Sequence, residues 1–510
     1  MKILLAGPGT GKTTKIRSLV NENEDGQNVL ILSFTNATIS DLQNKLSDVG
    51  ITDKNCMTLH KFAVKFNHDK THHVLLQKEI DELDQISKTT KISFSELCDF
   101  LSCTTFDQMI DRFVGYSRVN EEYLKAKLSG YQMLIVDEFQ DFNPHEQALI
   151  DALIKIIPNS LILGDDDQCI YDFKDASNEK IISFYNDANN EKLEHEHKCF
   201  RCPDKVVHHA SQLIKKNTNR VDKKWDKSGK PGEVFYKQLG TYDEVASYVI
   251  DQIEKILELK NGESVLVLSP VQFATPKIIE KLQSKGIPFT NHFVGRIPEN
   301  LIIDSWKLKV LFGKYKYTNL IFLGYFLLTN RKKFYEMLIR HFREGQDFGE
   351  MYGLLVQRIP EEMKKAYGNI SEALKEPLFE PFGELYNRAD GELVEDKLEN
   401  IFRKIEEEPE KQVNVMTIHK SKGLDADHVF MIGLTEGIIP NRKQGADQLE
   451  GYRRQFYVGM TRAKKHLFLI SNYLIEGKYV NRVNKDDFKY SIKDKQWHGR
   501  SSSFIQELGL

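Results

Sequence analysis

Short apolar runs that stop at a polar or small residue recur along the chain: Lys2 to Ala6, Val29 to Ser33, Met133 to Val136, Leu161 to Leu163, Val265 to Leu268, Val413 to Thr417, His428 to Ile432 and Leu467 to Ser471. Each is short for a helix, and most lack the alternation of a half-exposed strand. They predict strands buried on both faces, as in a parallel sheet. A helical pattern runs from Thr13 to about Asn21, directly behind the first run and a Gly-rich loop. Strands alternating with helical patterns predict two α/β sheets. Two stretches break the rhythm. Residues 67–105 are polar, and residues 291–399 are rich in helix formers and aromatics. Both read as insertions. Residues 1–66 and 106–200 are expected to build the first α/β domain, and residues 201–290 and 400–510 the second.

The length of 510 residues fits three or four domains, and 40% hydrophobic with 28% charged residues is ordinary globular composition. No run approaches the roughly 18 apolar residues of a membrane span, and none reads as a secretory signal, so a cytoplasmic protein without a membrane partner is expected. The six cysteines, at 56, 98, 103, 169, 199 and 202, then read as reduced thiols. A net charge of −3 leaves room for nucleic-acid binding, because a local cationic groove suffices on a near-neutral surface.

The candidate chemistry begins at Ala6-Gly7-Pro8-Gly9-Thr10-Gly11-Lys12-Thr13. Placed between a strand and a helix, this is a phosphate-binding loop, with Ala6 where the stricter pattern has Gly. Gly7, Gly9 and Gly11 let backbone N–H groups turn inward around phosphate oxygens, and the helix start at Lys12, Thr13 and Thr14 adds positive potential. Lys12 can reach the β- and γ-phosphates of ATP, and the Thr13 hydroxyl can ligate Mg²⁺. The run Leu134-Ile135-Val136-Asp137-Glu138 delivers two acids to the end of a strand. Asp137 suits the same Mg²⁺, and Glu138 suits a base that polarises the attacking water.

Further motifs follow. Val136 to Asp141 (VDEFQD) resembles the second helicase motif of the superfamily 1 group that includes UvrD, PcrA and Rep. Ser33-Phe34-Thr35-Asn36-Ala37 resembles motif Ia of that group, and Thr58-Leu59-His60-Lys61-Phe62 motif Ib. Gly164 to Tyr171 (GDDDQCIY) resembles motif III, and Phe200-Arg201 stands where motif IV has an aromatic–Arg pair. Val415 to Leu424 (VMTIHKSKGL) resembles motif V, and Arg453 to Ala463 (RRQFYVGMTRA) motif VI. The matches keep the family's order from residue 6 to residue 463, about nine-tenths of the chain.

The resemblance implies two RecA-like P-loop NTPase domains with parallel sheets, each carrying a mainly helical insertion, with Mg-ATP between them. It implies that Arg201 and Arg462 face the γ-phosphate, that Gln168 senses it, that Phe200 stacks on adenine and that Asp425 lies near the ribose, where the family usually has Glu. It also implies single-stranded DNA along Phe34, Thr35, Asn36, Thr58, His60, Phe62, Tyr171, Phe173, Thr417, His419 and Lys420. Phe173 stands where the family often has Trp, so weaker stacking is expected. The family's Gln-bearing segment that reads adenine has no counterpart ahead of Lys2, so looser nucleotide discrimination is expected.

Three regions add less. Residues 301–343 interleave Lys, Arg and aromatics with only Asp304 and Glu336 as acids, which suits either a duplex-binding face or a solvated helical surface. Cys199-Phe200-Arg201-Cys202, behind His195 and His197, has a metal-like spacing but straddles the nucleotide-contacting pair, so ordinary thiols are expected. No nuclease constellation follows motif VI. The reading is an ATP-dependent DNA helicase moving 3′→5′ on single strands and engaging single/double-strand junctions. The alternative is an ATP-gated translocase or protein-displacing remodeler with little processive unwinding. Protein partners and pathway are not legible.

Overall fold

A computed structural model describes the chain except residues 23–25, 68–71, 76, 195–196, 260, 294–304, 306–396, 399–400, 402–410, 442–447 and 494. The basic stretch 301–343 therefore lies, apart from Ser305, outside the described residues, as does His195. The described residues fall into two compact units. One comprises 1–66, 114–294 and 410–510, and the other comprises 67–113 with the few described positions between 295 and 409.

The larger unit holds two six-stranded sheets. Strands β1 (Lys2–Leu5), β2 (Val29–Ser33) and β3 (Cys56–Thr58) open the first sheet. Strands β4 (His73–Val74) and β5 (Cys103–Thr104) belong to the smaller unit. Strands β6 (Met133–Val136), β7 (Ser160–Gly164) and β8 (Glu191–Lys192) complete the first sheet, in the order β3-β2-β6-β7-β1-β8. All its pairings are parallel. The strands β1, β2, β6 and β7 are buried nearly end to end, which is why they read as unbroken apolar runs.

The second sheet is built from β9 (Val234–Leu239), β10 (Val265–Ser269), β11 (Phe289–Asn291), β12 (Val413–Thr417), β13 (Ala426–Met431) and β14 (Ala463–Asn472). Its order is β11-β12-β10-β13-β14-β9, again all parallel. The long helix Tyr242–Glu258 covers one face with Val245, Val249, Ile250 and Ile253, and Thr241 starts it by accepting the Glu244 N–H at 3.1 Å.

Register sets the site. Leu5 pairs with Gly164, and Val136 with both Leu32 and Ile162. The loops after β1, β6 and β7 therefore emerge at one carboxyl edge, where ligands bind in parallel α/β sheets. In the second sheet Ala426 pairs with Ala463, so Asp425 and Arg462, each one residue earlier, sit side by side at its amino edge.

The smaller unit, taken alone, pairs β4 with β5 in parallel beside helices Gln77–Thr90 and Phe94–Phe100. A capping box between Ser93 and Glu96 starts the second helix. Among the described residues no helix is long and apolar enough to cross a membrane.

Candidate nucleotide and single-strand site

The loop after β1 turns through Gly9 at φ +72° and Gly11 at φ +88°, conformations that side chains other than glycine rarely adopt. Gly9 is needed for a second reason: a Cβ there would lie 2.6 Å from the Cβ of Arg201. Thr10 is buried and ties the loop by donating to the Gly7 carbonyl at 2.8 Å. Helix Lys12–Glu22 follows at once, so its first N–H groups face the loop's concavity. Thr13 is half-buried and Thr14 exposed in its first turn.

Lys12 Nζ lies 3.0 Å from Glu138 Oε1. Burial would lower the Lys12 ammonium, but Glu138, Asp137 and Asp165 outweigh it and raise it. Burial pushes Glu138 upward as well, yet Lys12 and Lys422 overcome that and hold it well below the usual carboxylate range. Its neighbour Asp137 goes the other way, pushed up to about 6 by burial and by the charge of Glu138. The two adjacent acids are thereby split into an ionised one and one that resists ionising. Glu138 sits at φ +54°, and Gln140 Nε2 donates to its second oxygen at 2.7 Å.

Asp137 Oδ1 is buried without a hydrogen-bond partner. An orphaned carboxylate oxygen beside a phosphate loop is costly by itself and fits a divalent cation. Thr13 and Asp137 are thus a donor set suited to Mg²⁺. The one compact acid cluster found among the described residues, Asp165-Asp166-Asp167, is instead filled by Lys223 at 3.0, 2.6 and 2.6 Å.

The segment between β8 and β9 closes on this loop. The Phe200 N–H donates to the Gly9 carbonyl at 2.8 Å, and the Trp225 indole N–H to the Pro8 carbonyl at 3.0 Å. Phe200 is half exposed beside the loop, free to offer a ring face. Arg462 is buried, with Nε on the Val458 carbonyl at 2.9 Å, Nη1 on the Leu424 carbonyl at 3.3 Å and Nη2 on Gln168 Oε1 at 2.8 Å. Burial and Arg201 lower its affinity for its proton to about 10, against the pull of Asp425 and Glu138. Arg201 pairs through Nε with Asp425 at 3.1 Å, and Lys464 reaches the same carboxylate at 3.0 Å. Burial would raise Asp425, but Arg201 and Lys464 outweigh it and hold it low. Asp425 is thus engaged by two cations.

Several linking residues had no role assigned from sequence. Lys422 is buried, 2.6 Å from Asp141, and donates to the Gln168 carbonyl at 2.5 Å. Gln140 Oε1 accepts the Asp165 N–H at 3.0 Å, joining the acid pair to motif III. Both lie inside motifs quoted above, so the signal was present. Trp225 and Lys223 lie in no motif and were found only through the fold.

The strand-binding candidates separate into two groups. Phe34, Tyr171, Phe173 and His419 form one aromatic surface. Ring centroids are 5.1 Å apart for Phe34–Tyr171, 5.9 Å for Tyr171–Phe173 and 5.5 Å for Phe173–His419. Phe173 is 67% exposed, and Lys174 stands 5.4 Å over the Phe34 ring. Asn36 and Lys420 are exposed close by in sequence, Lys420 reaching the His292 carbonyl. Thr35 accepts the Thr38 N–H at 3.1 Å, Thr58 that of Lys61 at 3.2 Å and Thr417 that of Lys420 at 3.2 Å, so these hydroxyls also shape the turns. His60 sits 2.8 Å from Glu146. Phe62 corrects the expectation: its ring is wholly buried against Phe66, with centroids 4.7 Å apart, and has no face to offer a base.

The fold and this site define a two-sheet P-loop nucleoside triphosphatase. Residues 1–174 match the AAA domain, and residues 323–473 match the UvrD-like helicase C-terminal domain. A probable DNA helicase II homolog of Rickettsia conorii is 23% identical, the alignment spanning 92% of this chain and 89% of that protein. The ATP-dependent DNA helicase PcrA of Leuconostoc citreum is 24% identical over 71% of this chain and 57% of its own length. The ATP-dependent DNA helicase Rep of Buchnera aphidicola is 24% identical over 71% of this chain and 67% of its own. In its matched domains and its relatives the chain is similar to the UvrD/PcrA/Rep-like helicases.

Proposed function

We propose that the chain is an ATP-dependent DNA helicase that moves 3′→5′ along single-stranded DNA and separates duplex at single/double-strand junctions. The observation that carries this reading is Arg462, on the second sheet, donating to Gln168 on the first, beside the Lys12–Glu138 pair. A motor needs hydrolysis to depend on how two domains meet, and an arginine presented from the second does that. The polarity rests on the family resemblance.

Lys12 has two partners to choose from. One is Glu138, 3.0 Å away. The β- and γ-phosphates of ATP draw Lys12 away and leave Glu138 to accept a proton from the attacking water. Thr13 and Asp137 hold Mg²⁺, which neutralises phosphate charge when bound. Arg201 and Arg462 neutralise charge on the transferring phosphoryl group; a permanently charged planar fork suits that role. Phe200 offers its face to adenine. Phe34, Tyr171, Phe173 and His419 stack on bases, with Lys174 and Lys420 beside the backbone. Because these aromatics come from segments following β2, β7 and β12, a change in how the sheets meet alters the grip on the strand.

The test is ATPase activity with and without single-stranded DNA, then unwinding of duplexes bearing 3′ or 5′ tails. Stimulation by the single strand and unwinding from the 3′ tail support the reading. Stimulation with directional movement but no unwinding points to the translocase alternative.

A further inference from the structure

The segment from Arg220 to Trp225 reaches into the first sheet's motif III and grips all three of its consecutive acids. Lys223, its side chain only 7% exposed, places Nζ 3.0 Å from Asp165, 2.6 Å from Asp166 and 2.6 Å from Asp167. Arg220 forks onto Asp167 through Nε at 3.0 Å and Nη2 at 2.8 Å. The Val221 N–H donates to Asp166 at 2.7 Å. Two residues on from Lys223, Trp225 reaches the phosphate loop.

We propose that Lys223 is a positioning residue for ATP hydrolysis: by holding the Asp165 carboxylate in place, it fixes which way the Gln168 amide points, and so where Arg462 stands. This rests on the reading of Gln168 and Arg462 as nucleotide contacts. The amide has two ends of opposite character. Asp165 Oδ2 accepts from Gln168 Nε2 at 2.8 Å, which forces Oε1 outward to accept from Arg462 at 2.8 Å. Three buried neighbouring carboxylates repel one another, and without the Lys223 ammonium at their centre they move apart. Once Asp165 Oδ2 leaves Gln168 Nε2, nothing holds the amide in this sense; turned over, it presents Nε2 to the Arg462 guanidinium, and two donors face each other. Lys223 prevents this from about two residues away from the loop contact of Trp225, so one segment sets both the phosphate loop's flank and the Gln168–Arg462 pair.

The test measures DNA-stimulated steady-state ATPase for Lys223→Met and Asp165→Asn, each alone and combined with Gln168→Ala. Each single change is expected to lower kcat at least about tenfold while KM for ATP moves less than about threefold. On the Gln168→Ala background, neither should cost more than about twofold further, because the group they position is gone. Full multiplication of the losses overturns the proposal, since a merely structural role acts independently of Gln168. So does a near-wild-type kcat in both single variants. Asp165→Asn keeps the side chain's size and leaves Lys223 two acids, so it carries the test if Lys223→Met does not melt cooperatively. Gln168→Ala and Arg462→Ala alone serve as controls. Wild-type kcat in these two means that their reading as nucleotide contacts has failed, whereas loss in these two with none in Lys223→Met and Asp165→Asn means that only the positioning link has.

Discussion

Arg462 and Gln168, 294 positions apart in the chain, meet through a 2.8 Å hydrogen bond that runs from a guanidinium on one sheet to an amide on the other. Arg462 is expected to lose function through charge and geometry together. Arg462→Ala should cut kcat roughly 10³-fold or more, as for other arginine fingers, with a smaller effect on ATP binding. Arg462→Lys should not restore it, because an ammonium cannot also reach the Val458 and Leu424 carbonyls. Single-turnover ATPase of the two variants checks this, and recovery in the Lys variant counts against the geometric part.

Lys12 and Glu138 should separate binding from chemistry. Lys12→Ala removes the phosphate contact and is expected to abolish hydrolysis. Glu138→Gln keeps the shape and still accepts from Gln140, so ATP should bind and persist unhydrolysed. Equilibrium nucleotide binding alongside product release distinguishes the two. A Glu138→Gln variant that binds no ATP would make Glu138 structural.

Gly9→Ala should damage the loop specifically. The methyl group would collide with Arg201, and φ +72° costs a non-glycine residue about 1–2 kcal/mol. The expected outcome is a sharp rise in KM for ATP with only a modest fall in melting temperature. Unchanged ATP kinetics would mean that Arg201 does not approach the loop during turnover.

Metal dependence should run through Asp137. Chelation of divalent cations is expected to stop hydrolysis, and Asp137→Asn to raise the Mg²⁺ concentration needed for half-maximal activity by tenfold or so, since it removes the charge but not the shape. A Mg²⁺ titration of both proteins measures it, and coincident curves would remove Asp137 from the metal site.

Two phenylalanines from the same resemblance should behave oppositely. Phe173→Ala should weaken single-strand binding by about 1–3 kcal/mol with little change in melting. Phe62→Ala should instead unfold the protein more easily, by about 3–5 kcal/mol, because the ring is entirely within the core. Fluorescence anisotropy with an oligonucleotide and a thermal melt on each variant decide it.

These contrasts mark what was legible in the sequence. Strands buried on both faces, such as β2, β6, β10 and β12, announced themselves as apolar runs. Within the two six-stranded sheets, the strands that no run anticipated, β3, β8, β9 and β11, are the edges. There β8 has two exposed residues, β9 alternates, and β3 and β11 span three residues each, so none makes a run. Strand β14 begins at Ala463, ahead of the expected Leu467, because Ala463 pairs with Ala426 and His466 with His428, across a register irregularity at Lys464 and Lys465. The phosphate loop and acid pair were readable because backbone geometry demands those residue types at fixed spacing. Phe62 was misread because a motif position says which residue is present and not whether its ring faces core or solvent. Lys223 was invisible because a buried cation among acids follows no local pattern.

The most direct test of the account is the ATPase rate of wild type and Arg462→Ala across a titration of single-stranded DNA. The account predicts that DNA raises the wild-type rate severalfold or more to a plateau, and that Arg462→Ala binds the strand yet shows no such rise. A wild-type rate indifferent to DNA, or a variant that responds as wild type does, would contradict it.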